Sequence, residues 1–283
     1  GPAALLLRAP PLLLGAALLW SLAGVFIKFL DLRPLTIVFY RSLFAALVFV
    51  PFLKRADFYF GSSIVISVLS YTVAISAFVS ANKLTTAANA IVLQYTAPFF
   101  VFLFSGLVLR GKISRLNGFT LAASMIGVAV IFLGSAGEPD MVGVLLALLS
   151  GVLFAAYMIN LRRTHAVSPV YLTWINNVVC ALMLLLVVKS QLGLTSMQLG
   201  IVAVMGAVQL GLPYFLFSKG LQTVPLQEAS LIALIEPVIN PLWVVLTVGE
   251  IPSFATLAGG GLIVAALAVR YLWPLPGESA QAA

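Results

Sequence analysis

Ten long apolar runs follow one another along the 283-residue chain. A helix needs roughly 20 consecutive apolar residues to cross a hydrocarbon core of about 30 Å. Strands of membrane β-barrels alternate over about ten residues, whereas these runs are continuous. The pattern predicts an all-α integral membrane protein with ten transmembrane helices, span 1 to span 10. In order, the spans are 11–30, 34–53, 60–81, 84–109, 116–136, 141–161, 169–188, 199–218, 225–248 and 253–273.

The distribution of charge agrees with a lipid environment. Only 8% of the residues are charged and 62% are hydrophobic, whereas about a quarter of a soluble domain is charged. A net charge of +7 would favour a nucleic-acid partner in a soluble protein. Here the basic residues stand singly or in pairs between the apolar runs, so we expect a lipid bilayer as partner and no nucleic acid. The charged residues inside spans are Lys28, Arg41, Glu228, Glu236 and Arg270.

Lysine and arginine also predict the orientation. With a cytoplasmic N-terminus, the inside ends of the spans carry ten basic residues and the outside ends carry four. The positive-inside rule therefore predicts that both termini are cytoplasmic. We expect a multi-pass protein of the bacterial plasma (inner) membrane.

The two halves of the chain repeat each other. A shift of 139 residues places Phe78 and Pro98 on Phe217 and Pro237, and the lengths of spans and loops agree as well. The predicted units are residues 11–136 and 141–273. Since each has an odd number of spans, the second must enter the membrane inverted. Inverted repeats are typical of secondary transporters, whose substrate site lies near the midplane; duplication kept only for packing is the alternative.

Four short motifs carry a resemblance to the drug/metabolite transporter superfamily. They are Trp20-Ser21, Thr96-Ala-Pro98, Leu234-Ile-Glu-Pro237 and Gly249-Glu250. The chain resembles the EamA type, and within it is similar to the YddG-like aromatic amino-acid exporters. The resemblance implies two five-helix EamA-type repeats, export of small metabolites and a cavity formed mainly by spans 1, 3, 4, 6, 8 and 9. The chain departs from the family after span 4, where Gly111 is followed by Lys112 instead of an acid.

Span 9 is rich in polar groups. Glu228, Glu236 and Asn240 recur at spacings of four and eight and share one helix face. A mid-membrane acid should face protein or a wet cavity. Glu236 is therefore a candidate partner for a substrate ammonium or a site of proton coupling; the alternative is a protonated structural acid.

Proline interrupts three spans. Pro98, Pro213 and Pro237 deprive the carbonyls of Gln94, Gln209 and Ala233 of their helical donors. Freed carbonyls and the amides of Gln94 and Gln209 could contact substrate, but we favour a hinge role for the three prolines.

Aromatic residues with polar tips lie deep in several spans. Tyrosine and tryptophan near span ends are usually interfacial anchors, and these residues do not fit that position. We expect them to line an apolar cavity for an amphipathic small molecule such as an amino acid; helix packing is the alternative for any one of them. The set is Trp20, Tyr71, Tyr95, Tyr157 and Tyr214.

Two further patterns predict structural roles. Arg41 lies in the outer half of span 2, and we expect its long stem to reach the outer headgroups. Small residues at spacing four in spans 5 and 10 predict close helix packing or a dimer contact; they are Gly118/Ala122, Ala123/Gly127 and Ala255/Gly259.

Catalytic and cofactor signatures are missing from the sequence. It contains no Walker loop, HExxH motif or Cys/His cluster, so we expect no enzyme activity, no cofactor and no metal site. Eight residues separate Glu228 from Glu236, about 12 Å of helical rise, which is too far for a catalytic pair. The predicted function is efflux of amino acids, including aromatic ones, by alternating access. A channel-like facilitator or an exporter of another metabolite or drug is the alternative, and the sequence does not specify an oligomeric state.

Overall fold

The computed structural model describes residues 11–109, 115–134, 140–161, 163–164, 166–220 and 232–273, and every regular element within these ranges is helical. Six helical segments of the described ranges, with consecutive helices of one span counted together, are long and apolar enough to cross a membrane. Four shorter apolar helices lie in the remaining predicted spans, at Ala87–Val101, Gly118–Gly134, Ile235–Val248 and Phe254–Arg270. The prediction of an all-helical membrane protein is confirmed, while the count of ten crossings stays a prediction.

The described helices follow the order of the predicted spans. They are α1 Pro11–Ser21, α2 Ala23–Phe29, α3 Pro34–Phe49, α4 Ser62–Leu84, α5 Ala87–Gln94, α6 Ala97–Leu109, α7 Arg115–Gly134, α8 Met141–Leu161, α9 Pro169–Val188, α10 Ser196–Val204, α11 Leu212–Gly220, α12 Ile235–Val248 and α13 Phe254–Leu272. Two 3₁₀ turns, Val50–Phe52 and Arg55–Asp57, follow α3, and a π-helix, Met205–Gly211, joins α10 to α11.

Spans 1, 4 and 9 are broken helices. A turn at Leu22 separates α1 from α2, and turns at Tyr95 and Thr96 separate α5 from α6. In span 9 a turn at Leu234 directly precedes α12. Broken helices at membrane depth are tolerated where the freed backbone groups are buried in protein or line a cavity.

Two of the predicted hinge prolines start helices. Pro98 and Pro237 lie in the first turns of α6 and α12. A backbone N–H has no intrahelical acceptor there, so a proline costs no hydrogen bond. The chain therefore begins a new helix at each proline instead of bending a continuous one.

Pro213 is accommodated differently. Over Met205–Gly211 the helix widens to the π form, and the backbone N–H of Leu212 donates to the carbonyl of Ala207. In an α-helix the proline ring would clash with the carbonyl four residues earlier, that of Gln209. The wider turn immediately before Pro213 relieves this crowding.

Most contacts between spans join the two halves of the chain. Span 3 packs along span 6 and span 1 along span 8; span 4 packs on span 6 and span 1 on span 9; spans 2 and 5 pack on spans 7 and 10. Spans 1–5 correspond to spans 6–10 in order, and replacing every span by its counterpart gives the same set of packed pairs.

Glycines bring α7 and α13 close together. A Cβ built on Gly127 would lie 2.6 Å from the carbonyl oxygen of Gly259, and one built on Gly259 would lie 2.5 Å from that of Gly127. Real Cβ atoms do not approach this closely, so both positions require glycine. The predicted packing role of these small residues is confirmed for this pair, within one chain.

Candidate functional site

Four aromatic side chains from spans 1, 3, 6 and 8 form a continuous cluster at the centre of the bundle. Trp20 and Tyr214 meet edge to face with ring centroids 5.1 Å apart. Tyr71 lies 6.0 Å from Tyr214 and 5.8 Å from Tyr157. These distances fall in the range that aromatic pairs prefer. The structure thus brings together four of the five aromatic residues singled out from the sequence, and we refer to Trp20, Tyr71, Tyr157 and Tyr214 as the aromatic cluster.

Two asparagines on α9 hold the tyrosine hydroxyls of this cluster. The hydroxyl of Tyr71 donates to Asn177 Oδ1 at 3.1 Å, and Asn176 Nδ2 donates to the hydroxyl of Tyr157 at 3.3 Å. Ser67 donates to Asn176 Oδ1 at 3.0 Å. Sequence analysis missed both asparagines, although an Asn-Asn pair inside a twenty-residue apolar run was an available signal.

Tyr95, the fifth aromatic residue, contacts Glu236. Its hydroxyl lies 2.8 Å from Glu236 Oε2 and 2.8 Å from the carbonyl oxygen of Ala233. Ala233 is the carbonyl that Pro237 was predicted to leave without a helical donor, and the tyrosine supplies one. A hydroxyl has one proton, so a protonated Glu236 can donate to Tyr95 while Tyr95 donates to Ala233. An ionised Glu236 instead accepts the hydrogen bond of the Tyr95 hydroxyl, which then cannot donate to Ala233.

Arg41 does not reach the outer headgroups, and that expectation is wrong. Only 3% of the surface of Arg41 is exposed. Tyr71, Tyr214 and Glu236 lie close enough to interact with it electrostatically. Among the described residues, neither Nε nor Nη1 of Arg41 has a hydrogen-bond partner. Snorkelling requires a helix face that meets lipid, and Arg41 lies on the face of α3 that meets the bundle.

The amide residues predicted for the site occupy three different environments. Gln209 is 1% exposed and donates from Nε2 to the carbonyl of Trp20 at 3.3 Å. Asn240 is fully buried against Gly24, where an added Cβ would lie 2.5 Å from Asn240 Oδ1. It therefore lies between α2 and α12. Gln94 is half-buried at the end of α5. Glu228 lies outside the described residues.

A second polar network links helices at the predicted outer end of the bundle. Lys28 forms an ion pair with Glu250 at 2.5 Å and donates to the carbonyl of Thr85 at 2.8 Å. Glu250 also accepts from the backbone N–H of Ala87, at the start of α5, at 2.7 Å. Gly249 positions this carboxylate, because its φ of +76° ends α12 in the left-handed conformation that glycine adopts without strain. The network joins span 1, span 4 and the loop between spans 9 and 10.

Metal-ligating side chains do not gather in the described part of the chain: no three His, Cys, Asp or Glu residues there stand close enough to hold an ion. Cys180 is a free, buried thiol that accepts from the hydroxyl of Ser42 at 3.4 Å.

Apolar helices, several of them broken around a buried aromatic and polar centre, define a multi-pass helical membrane protein. The sequence profile of the EamA-like transporter family matches residues 7–133 and 141–272. The chain therefore belongs to the EamA-like transporter family, and it is a transporter and not an enzyme.

Relatives agree with this assignment. An uncharacterized transporter of Archaeoglobus fulgidus is 26% identical over 262 residues, which cover 90% of this chain and 93% of the relative. Another, from Clostridium kluyveri, is 23% identical over 216 residues, 72% of this chain and 70% of that protein. The uncharacterized transporter YwfM of Bacillus subtilis is 32% identical over 148 residues, about half of each chain. A crystal structure with 20% identity and a TM-score of 0.66 covers 91% of this chain and 95% of its own, which shows a common fold.

Proposed function

We propose that the protein exports small amphipathic metabolites, amino acids with aromatic side chains among them, across a bacterial inner membrane. The observation that carries this proposal is the aromatic cluster inside the bundle, together with the buried Tyr95–Glu236 pair. Small-molecule sites combine apolar and aromatic walls with a few polar groups that fix orientation. An aromatic ring finds several edges and faces here, and Glu236 offers an acceptor for an ammonium group.

We also propose that transport proceeds by alternating access between two inverted repeats, 11–136 and 141–273, with ten crossings in all. Support comes from the pairing of spans, which is unchanged when the halves are exchanged. Further support comes from the breaks in spans 1, 4 and 9, since transporters form midplane sites from discontinuous helices. The Lys28–Glu250 ion pair joins span 1 to the loop between spans 9 and 10 at the predicted outer end, as a closed gate would.

Counterflow in proteoliposomes tests the function. Vesicles loaded with unlabelled phenylalanine should take up labelled phenylalanine transiently above equilibrium, and tyrosine and tryptophan should compete. Trp20→Leu should weaken uptake, while Phe119→Leu, a change at a 65% exposed position on α7, should leave it unaltered. Saturable uptake without counterflow would indicate a channel, and no uptake of any amino acid would refute the substrate class.

The orientation needs its own test. Both termini and the loop at 110–115 should face the cytoplasm, because ten basic residues lie at that side against four at the other. Single cysteines replacing Lys112 or Pro139 in a Cys180→Ser background can be labelled in intact cells with an impermeant thiol reagent. We expect labelling at 139 alone. Labelling at 112 alone would show that the topology is the reverse of the predicted one.

A further inference from the structure

We propose that Arg41 binds the carboxylate of the transported substrate, so that the site selects carboxylic acids and, among them, α-amino acids. This inference rests on the proposed function, because it places the substrate among the residues of the aromatic cluster. Sequence analysis gave Arg41 no part in the site, and the proposed function does not require it.

The Arg41 guanidinium is both charged and buried. Arginine stays protonated in proteins, so this residue brings a full positive charge into an interior where only 3% of its surface is exposed. Buried arginines normally give their N–H groups to carboxylates or backbone carbonyls. Within the described residues, Nε and Nη1 of Arg41 have no such partner. The described part of the chain therefore leaves these N–H groups available to donate to a bound ligand.

One described candidate for an internal partner is already engaged. Glu236 lies within electrostatic range of Arg41, but it hydrogen-bonds Tyr95 at 2.8 Å. Arg41 and Glu236 do not form a salt bridge within 4.0 Å. The two groups are therefore not paired with each other, and a ligand that reached both would need an anionic group for Arg41 and a hydrogen-bond donor such as an ammonium for Glu236.

The position of Arg41 fits such a ligand. Arg41 interacts electrostatically with Tyr71 and Tyr214, two of the four members of the aromatic cluster. The adjacent Ser42 contacts Cys180, which lies one turn along α9 from the asparagine that holds the Tyr71 hydroxyl. On the other side of Arg41 the π-helix packs directly on the backbone, since a Cβ on Gly206 would lie 2.5 Å from the carbonyl oxygen of Arg41. This contact fixes where the side chain starts. A cation, an acid and aromatic rings within electrostatic range of one another match the carboxylate, ammonium and side chain of an aromatic amino acid.

The test compares three ligands that differ in one group each: phenylalanine, phenethylamine, which lacks the carboxylate, and 3-phenylpropionate, which lacks the ammonium. Affinities are measured on the full-length purified protein in nanodiscs, for the wild type, Arg41→Gln and Arg41→Lys. Arg33→Gln is the matched control, because it removes the same charge from an exposed position at the end of the same helix.

Arg41→Gln should weaken phenylalanine and 3-phenylpropionate about tenfold or more, the usual size of a lost charge-assisted hydrogen bond. It should leave the affinity for phenethylamine unchanged. The affinity of Arg41→Lys for the two carboxylates should lie between that of the wild type and that of Arg41→Gln. If Arg41→Gln does not fold, wild-type protein must still prefer phenylalanine to its neutral amide by a similar factor. Equal binding of the acid and the amide, or an Arg41→Gln variant that binds phenylalanine as the wild type does, would overturn the proposal.

Two further outcomes separate the hypotheses. If 3-phenylpropionate binds in an Arg41-dependent way and phenylalanine does not bind at all, the amino-acid function fails while the carboxylate site stands. If chloride stabilises the wild type but not Arg41→Gln, and both bind phenylalanine equally, the anion at Arg41 is inorganic and the proposal is wrong.

Discussion

Replacing Tyr95 with phenylalanine removes one hydroxyl that has two hydrogen-bond partners, Glu236 Oε2 and the carbonyl oxygen of Ala233, both at 2.8 Å. The backbone nitrogen that would serve Ala233 in a continuous helix belongs to Pro237. A buried acceptor left without a donor costs about 1–3 kcal/mol. Because Ala233 is only half-buried, we expect Tyr95→Phe to lower the free energy of unfolding by about 1–2 kcal/mol.

A double-mutant cycle with Glu236→Gln isolates the Tyr95–Glu236 pair. Groups in direct hydrogen-bond contact couple by about 0.5–3 kcal/mol, so the two changes together should cost less than their sum. Unfolding free energies can be measured by denaturant titration in mixed micelles. Tyr40→Phe is the control, because it also removes a tyrosine-to-carbonyl bond, to Leu192 at 2.7 Å. It should destabilise without coupling to Glu236→Gln.

Substrate binding gives the second measurement on the same variants. If Glu236 receives the ammonium of an amino acid, Glu236→Gln should weaken phenylalanine about tenfold or more and leave 3-phenylpropionate nearly unchanged. If Glu236 carries a coupled proton, the variant should instead lose the pH dependence of net transport and keep exchange. Additive changes in the free energy of unfolding, together with wild-type substrate binding and a wild-type pH dependence of transport, would refute the reasoning about this pair.

Three further predictions concern packing, the outer end and the hinge. Gly127→Ala should lower the melting temperature and the yield of folded protein because the added methyl meets the facing backbone, whereas Gly118→Ala, with nothing within 4 Å of the added methyl, should not; equal behaviour of the two would contradict the packing argument. Glu250→Gln should open the outer end, raising the accessibility of a cysteine introduced beside the aromatic cluster to an external thiol reagent, and Lys28→Met should do the same; unchanged labelling in both would exclude a gate. Pro213→Ala should slow turnover more than it weakens substrate binding, since a restored helical hydrogen bond would bias the conformational equilibrium, and weak binding with normal saturated turnover would instead make the proline part of the site.

The sequence was sufficient for the membrane fold and for the gathering of deep aromatic residues. Long apolar runs leave few alternatives to helices in lipid, and a polar-tipped ring at mid-span has little reason to face hydrocarbon. Trp20, Tyr71, Tyr157 and Tyr214 meet in one cluster, while their predicted role as the lining of a cavity stays a prediction.

The orientation of single polar residues was harder to predict. In a soluble helix the apolar stripe shows which face is buried, but in a membrane both lipid and core favour apolar side chains. Span 2 therefore gave no sign that Arg41 points inward, and span 9 gave none that Asn240 packs on Gly24. The break at Leu22 has no proline to announce it, and the ion pair of Lys28 with Glu250 joins residues far apart in the chain.

The π-helix Met205–Gly211 has a consequence for helical phase. One additional residue in a turn rotates everything that follows by about 100° relative to a regular α-helix. Tyr214 comes three residues after the π-helix, so its ring meets Trp20 and Tyr71 only because of this offset. Deleting one residue within 205–211 would preserve the apolar character of span 8 and its length to within one residue. It would also turn Tyr214 away from both rings, so the register of span 8, rather than its composition, determines whether the cluster forms.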